Sequence, residues 1–131
     1  MTKSAFSSFA WGLYLLFAGS GFLFIPNVLL PLFGLPTTTE VWIRVIGLLV
    51  AILGYYYIHC ARTNALPFIR ITVPGRIVFA IGLVALVLMG FSAPGLILIG
   101  VVDTLGALWT WWALRAEQTG VTTVRRSENR V

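Results

Sequence analysis

Long runs without a single charge constrain this chain more than any motif in it. No charged residue lies between Lys3 and Glu40, and the stretches 45–61, 77–102 and 104–114 are also uncharged. Each is long enough, or nearly so, to cross about 30 Å of hydrocarbon as a helix. A soluble domain carries about 25% charged residues. Here 10% are charged, 59% are hydrophobic and the mean hydropathy is +0.95, so a water-facing surface cannot be assembled. The expected fold is all-α: a polytopic bundle of four transmembrane helices.

The spans are expected at about 9–30, 41–60, 77–91 and 96–114, within a membrane domain covering 1–118. Pro26 and Pro31 predict a kink or early stop late in the first span, because proline lacks an N–H and clashes with the preceding turn. Ser92-Ala93-Pro94-Gly95 predicts a tight turn joining the last two spans. Residues 63–75 read as a loop lying in the headgroup layer, since Phe68, Ile69, Ile71 and Val73 surround Arg70. Residues 119–131 read as a basic, disordered tail beside anionic lipid. The first apolar run continues past Ala18-Gly19-Ser20 to Leu35, which fits a retained helix better than a cleaved signal.

The basic residues give the orientation. Lys3, Arg62, Arg70, Arg76, Arg115, Arg125, Arg126 and Arg130 fall on one side of this layout, and only Arg44 falls on the other. Lys and Arg collect in cytoplasmic segments, so both termini are expected in the cytoplasm and the protein in the cell inner membrane. The same distribution explains the net charge of +5 without nucleic-acid binding. One cysteine, Cys60, excludes an intrachain disulfide, and one histidine, His59, cannot build a multi-histidine metal site. No cofactor or metal is expected.

Asp103 stands out because it is the one acidic residue inside a long apolar segment. At the centre of a membrane helix an aspartate costs roughly 2.5–3.5 kcal/mol on the insertion scale. Its expected partner is Arg44. Arg44, Gly47, Ala51 and Gly54 line one face of the second span, and Gly100, Asp103, Ala107 and Thr110 line a face of the fourth with the same spacing. Small residues let membrane helices approach closely, so both charges share faces suited to helix contact. Arg44 would lie about 4–5 Å below the outer end of its span and Asp103 about 12 Å below, a gap an arginine can bridge. Such a pair has two readings: an ion pair that fixes helix register, or an outward cavity in which Asp103 takes a proton or a ligand.

Aromatic and polar residues near the inner interface form a second group of ligand-contact candidates: Tyr55, Tyr56, His59, Trp109 and Thr110. Headgroup anchoring accounts for the aromatic members equally well. Ser4, Ser8 and Gly12 form a small-residue stripe on the first span. The second and fourth spans also share Ile-Gly, an inner aromatic run and a terminal arginine, a pattern suggesting two related hairpins or shared composition alone.

Three stretches carry a resemblance: Arg44-x-x-Gly47 leading to Gly54-Tyr55-Tyr56-Tyr57, Thr72-Val73-x-Gly75-Arg76, and Asp103-x-x-Gly106-Ala107-Leu108-Trp109-Thr110. In layout the chain resembles small bacterial four-helix membrane proteins of the DoxX-like type over most of residues 5–115. That resemblance implies a four-helix bundle with an accessory role and no defined reaction. The layout is also similar to sterol-isomerase-like bundles, whose set of catalytic acids and histidines has no counterpart here. The expected function is therefore a small, non-enzymatic membrane protein that binds a lipid-like molecule or serves as a subunit of a larger complex or homo-oligomer. A proton-coupled transporter using Asp103 and a membrane enzyme acting on a lipid or quinone are the alternatives.

Overall fold

Helix accounts for most of the chain, since a helix satisfies backbone N–H and C=O groups within a single apolar segment. The computed structural model describes residues 1–130, with five helices and no strand among them. They are α1 (Lys3–Phe24), α2 (Pro26–Leu32), α3 (Trp42–Arg62), α4 (Leu66–Leu88) and α5 (Leu96–Glu128). Four of them, all but α2, are long and apolar enough to cross a membrane.

α1 begins where Thr2 caps it, its hydroxyl accepting from the Ala5 N–H. It ends at Ile25, and Pro26 starts α2 in the first turn, where its missing N–H leaves no bond unmade. The first span therefore stops short of the expected Leu30, with a short separate helix beyond it. Gly34, at φ +67°, turns the chain after α2, and Gly90, at φ +80°, does so after α4.

Two differences from the sequence reading matter for the site. The segment 63–75 is not an interfacial loop: α4 starts at Leu66, which places Arg76 inside a spanning helix. Pro67 occupies the first turn, and Pro74 withdraws one helical bond without ending the helix. The tail is also helical as far as Glu128; Val131 lies outside the described residues. Thr119, Thr122 and Thr123 fit that helix by donating their hydroxyls to carbonyls four residues back. At 33 residues α5 measures about 50 Å, well beyond the hydrocarbon thickness.

The helices pack as two antiparallel pairs, α1 with α3 and α4 with α5, and α1 also lies along α5. Glycine sets the first pair. Gly12 faces Gly54 and Ile58, while Gly19 faces Gly47 and Ala51, with backbone against backbone. A Cβ on Gly47 would lie 2.8 Å from the Gly19 carbonyl oxygen, so these helices meet without intervening side chains. Gly100 and Ala107 serve the second pair: Gly100 lies opposite Ala80, and Ala107 is fully buried.

Candidate functional site

The polar residues of the interior converge where α1, α4 and α5 meet. Arg76 is 5% exposed and Asp103 7%, and their facing atoms, Nε and Oδ1, are 3.8 Å apart. The Arg76 guanidinium lies over the Trp11 ring, 3.7 Å from its centroid. Its Nη1 donates to the Thr110 hydroxyl at 3.3 Å. Gly106 makes room for this arrangement, because a Cβ there would collide with Arg76 Nη2 and come within 2.7 Å of the Trp11 ring. Arginine suits the position because its flat cation stacks on an aromatic face while keeping in-plane donors.

A line of hydroxyls runs from this centre toward one end of the bundle. The Ser7 hydroxyl lies 3.1 Å from the Thr110 hydroxyl and donates to the Ser4 carbonyl at 2.8 Å. Ser4 in turn donates both its N–H and its hydroxyl to the Glu117 carboxylate, each at 2.8 Å. Glu117 thus holds the start of α1 against α5, with a negative group at the positive end of the helix dipole. The line does not form a proton relay. It passes through the Ser4 carbonyl, which accepts a hydrogen bond but has no proton to hand on.

The expected pairing of Asp103 with Arg44 is corrected by this geometry. Arg44 is exposed and donates through Nη1 to the carbonyls of Leu23 (2.6 Å) and Phe24 (3.3 Å). Those carbonyls lie in the last turn of α1, where no helical N–H reaches them, and a cation there also complements the helix dipole. α1 lies beside both α3 and α5, so the second span meets the first and the charge available to Asp103 comes from α4.

The remaining candidates divide by depth. Thr110 is fully buried in the polar centre. Tyr55, Tyr56, His59 and Trp109 are exposed on the outside of the bundle; Tyr55 stacks on His59 and Trp109 meets Phe6 edge-on. Trp109 also borders a groove of about 610 Å³ with Lys3, Phe6 and Trp112 at the N-terminal end of α1. Gly47 and Gly54 are buried against α1, and Ala51 is partly so.

No family model, curated protein or solved structure matches this chain. Its chemistry has to be read from its own side chains. Among the described residues no group of histidine, cysteine and acidic residues could hold a metal ion. Among the described residues, three buried side-chain atoms lack a hydrogen-bond partner: Ser8 Oγ, Arg76 Nε and Arg76 Nη2.

Arg76, Trp11, Ser7 and Glu117 are the site residues that the sequence reading did not select. A signal for Arg76 was present. Ile69, Thr72, Arg76, Ala80 and Leu83 are all buried on α4, at spacings of three, four, four and three. That is one continuous helical face running through the segment read as a loop.

Beside the polar centre, α4 and α5 part to leave an apolar groove of about 450 Å³. Ile77, Ala80, Ile81 and Val84 line it from α4, and Ile97, Gly100, Val101, Thr104 and Leu105 from α5. Neither Arg76 nor Asp103 lines it; Ala80 lies one helical turn from Arg76 and Gly100 one turn from Asp103.

Proposed function

We propose that this chain is a non-enzymatic protein of the cell inner membrane that binds a lipid-like molecule in the groove between α4 and α5. The groove is the observation that carries this reading. Apart from Thr104 it is lined by apolar residues, and at about 450 Å³ it is large enough for a hydrocarbon chain. The accessory role implied by the DoxX-like resemblance points the same way. Transport through Asp103 has less support, since the hydroxyl line leading to the centre is broken at a carbonyl.

The orientation belongs to the same proposal. Packing puts the start of α1, the end of α3, the start of α4 and the end of α5 on one side, and Thr2 N–H bonds Asn64 across two of these ends. With Arg76 moved into the membrane, Lys3, Arg62, Arg70, Arg115, Arg125, Arg126 and Arg130 still flank that side, which favours the cytoplasm. In a Cys60→Ser background, cysteines placed at Thr38 and Asn129 should label from opposite faces of the membrane. Labelling of both from outside would reverse the assignment.

Filling the groove tests the binding reading. Val101 is 48% exposed on its wall, so Val101→Trp should occupy the groove without disturbing the packed faces. Excluding about 60 Å² of ligand surface, at roughly 25 cal/mol per Å², weakens binding about tenfold. Native mass spectrometry of the purified protein should show that loss of lipid adduct. Val78→Trp, on an exposed position away from the groove, should not change it. Equal adducts in both variants would contradict the proposal.

A further inference from the structure

We infer that the groove between the start of α1 and the 109–116 stretch of α5 binds an anionic glycerophospholipid, with its phosphate at Lys3 and an acyl chain against Phe6, Trp109 and Trp112. This site is separate from the α4–α5 groove and shares no lining residue with it.

The groove holds about 610 Å³, a volume in the range of small-molecule sites, and its depth in the membrane selects a lipid. From Leu96, where α5 begins, to Ala116 is about 30 Å, the full hydrocarbon thickness. Trp109, Trp112 and Ala116 therefore carry the groove from hydrocarbon up to the headgroup layer. On α1, Phe6 lies one turn deeper than Lys3 in the same way. A water-soluble solute meets only the upper end of such a groove, whereas a lipid fits both ends.

Charge selects the head. Lys3 is exposed on the groove wall, and among the described residues no acid pairs with it; the one ion pair joins Arg76 and Asp103. Glu117, next in sequence to Ala116, turns both carboxylate oxygens to the Ser4 N–H and hydroxyl and lines no part of the groove. A phosphate diester without a cation of its own complements the Lys3 ammonium, while a zwitterionic head brings a competing cation with it. The walls are also set before a lipid arrives. The Ser4–Glu117 and Ser7–Thr110 hydrogen bonds fasten α1 to α5 on the buried side of α1. The Phe6 ring meets Trp109 edge-on, with centroids 6.4 Å apart. A preformed cleft of this kind loses little conformational freedom on binding.

Native mass spectrometry of the purified full-length protein, titrated with phosphatidylglycerol or phosphatidylcholine of identical acyl chains, tests the site. Phosphatidylglycerol should bind about fivefold more tightly, the effect of one lysine beside an anionic lipid. Lys3→Gln should abolish that preference and leave phosphatidylcholine binding unchanged. Arg126→Gln, on the exposed far end of α5, should keep the preference. Trp112 is 74% exposed, so Trp112→Ala leaves the packed faces intact and should weaken phosphatidylglycerol about fivefold through the lost wall of the groove. Val101→Trp, which fills the α4–α5 groove, should leave the preference as it is, so the two sites stand or fall separately. Equal binding of the two lipids, a preference that survives Lys3→Gln, or unchanged binding in Trp112→Ala would each overturn the inference. An equal loss in Arg126→Gln would reduce it to diffuse attraction by a basic surface and overturn it as a site. A lipid-free dimer that Trp112→Ala separates into monomers would give the groove to a second copy of the chain and overturn it too.

Discussion

Replacing Arg76 with methionine, or Asp103 with leucine, should each destabilise the solubilised protein by about 3–5 kcal/mol, because either change strands the other charge in the bundle. Both side chains are at least nine-tenths buried, so solvent cannot take over the role of the lost partner. The loss at Arg76 has two further parts. Trp11 would lose the cation stacked on its ring, and Thr110 would lose a hydrogen-bond donor. Arg76→Lys should recover only a part of the stability, because an ammonium keeps the charge but cannot stack as a plane and donate at its edge together. Unfolding in a mild detergent, followed by loss of helical circular dichroism, measures each change. Arg44→Met is the contrasting case. Its side chain is exposed and caps carbonyls that water or headgroups can also reach, so the loss should stay below about 1 kcal/mol.

Gly19→Leu should separate α1 from α3 and cost about 3 kcal/mol or more, the upper range for forcing volume into a packed contact. A Cβ at Gly19 would lie 2.6 Å from the Gly47 carbonyl oxygen and 2.8 Å from the Ala51 Cα, and backbone cannot swing aside as a side chain does. Gly82 provides the control. Nothing lies within 4 Å of a Cβ built there, so Gly82→Leu should be tolerated or mildly stabilising, since glycine is a poor helix former. The same unfolding measurement separates the two. A Gly19→Leu protein as stable as the native one would mean that α1 and α3 do not meet on their glycine faces.

The spanning helices were legible because a bilayer leaves a chain few options. Uncharged runs of that length have to be helical, and their number follows from where the charges interrupt them. Their ends were less legible. Pro67, Pro74 and Gly75, with Arg70 and Arg76 around them, look like a loop in sequence. In the structure Pro67 sits in the first turn of α4, where proline is harmless, and the helix carries Pro74 at the loss of one bond. The tail beyond Gly120 has poor helix formers, and its threonines meet the backbone through bonds that a composition does not show.

Asp103 was visible as a lone acid in an apolar segment, but its partner was not. Charge spacing along two helices says which residues share a face, and it does not say which helices are neighbours. Arg44 and Asp103 occupy matching faces, yet Gly47 and Gly54 bring α3 against α1, where Arg44 finds the free carbonyls of Leu23 and Phe24. Arg76 looked like one more cytoplasmic arginine because it follows Pro74 and Gly75. Its place beside Asp103 depends on α4 starting ten residues earlier, at Leu66.

A pair of double-mutant cycles in the same detergent tests the centre of this account, that Asp103 is held by Arg76. The double replacement Arg76→Met/Asp103→Leu should recover most of what each single replacement loses, a coupling of about 2 kcal/mol or more. The parallel cycle of Arg44→Met with Asp103→Leu should be additive to within about 0.5 kcal/mol, as for residues that share no contact. Additive losses at Arg76 together with strong coupling at Arg44 would contradict the structure and restore the pairing across the second and fourth spans.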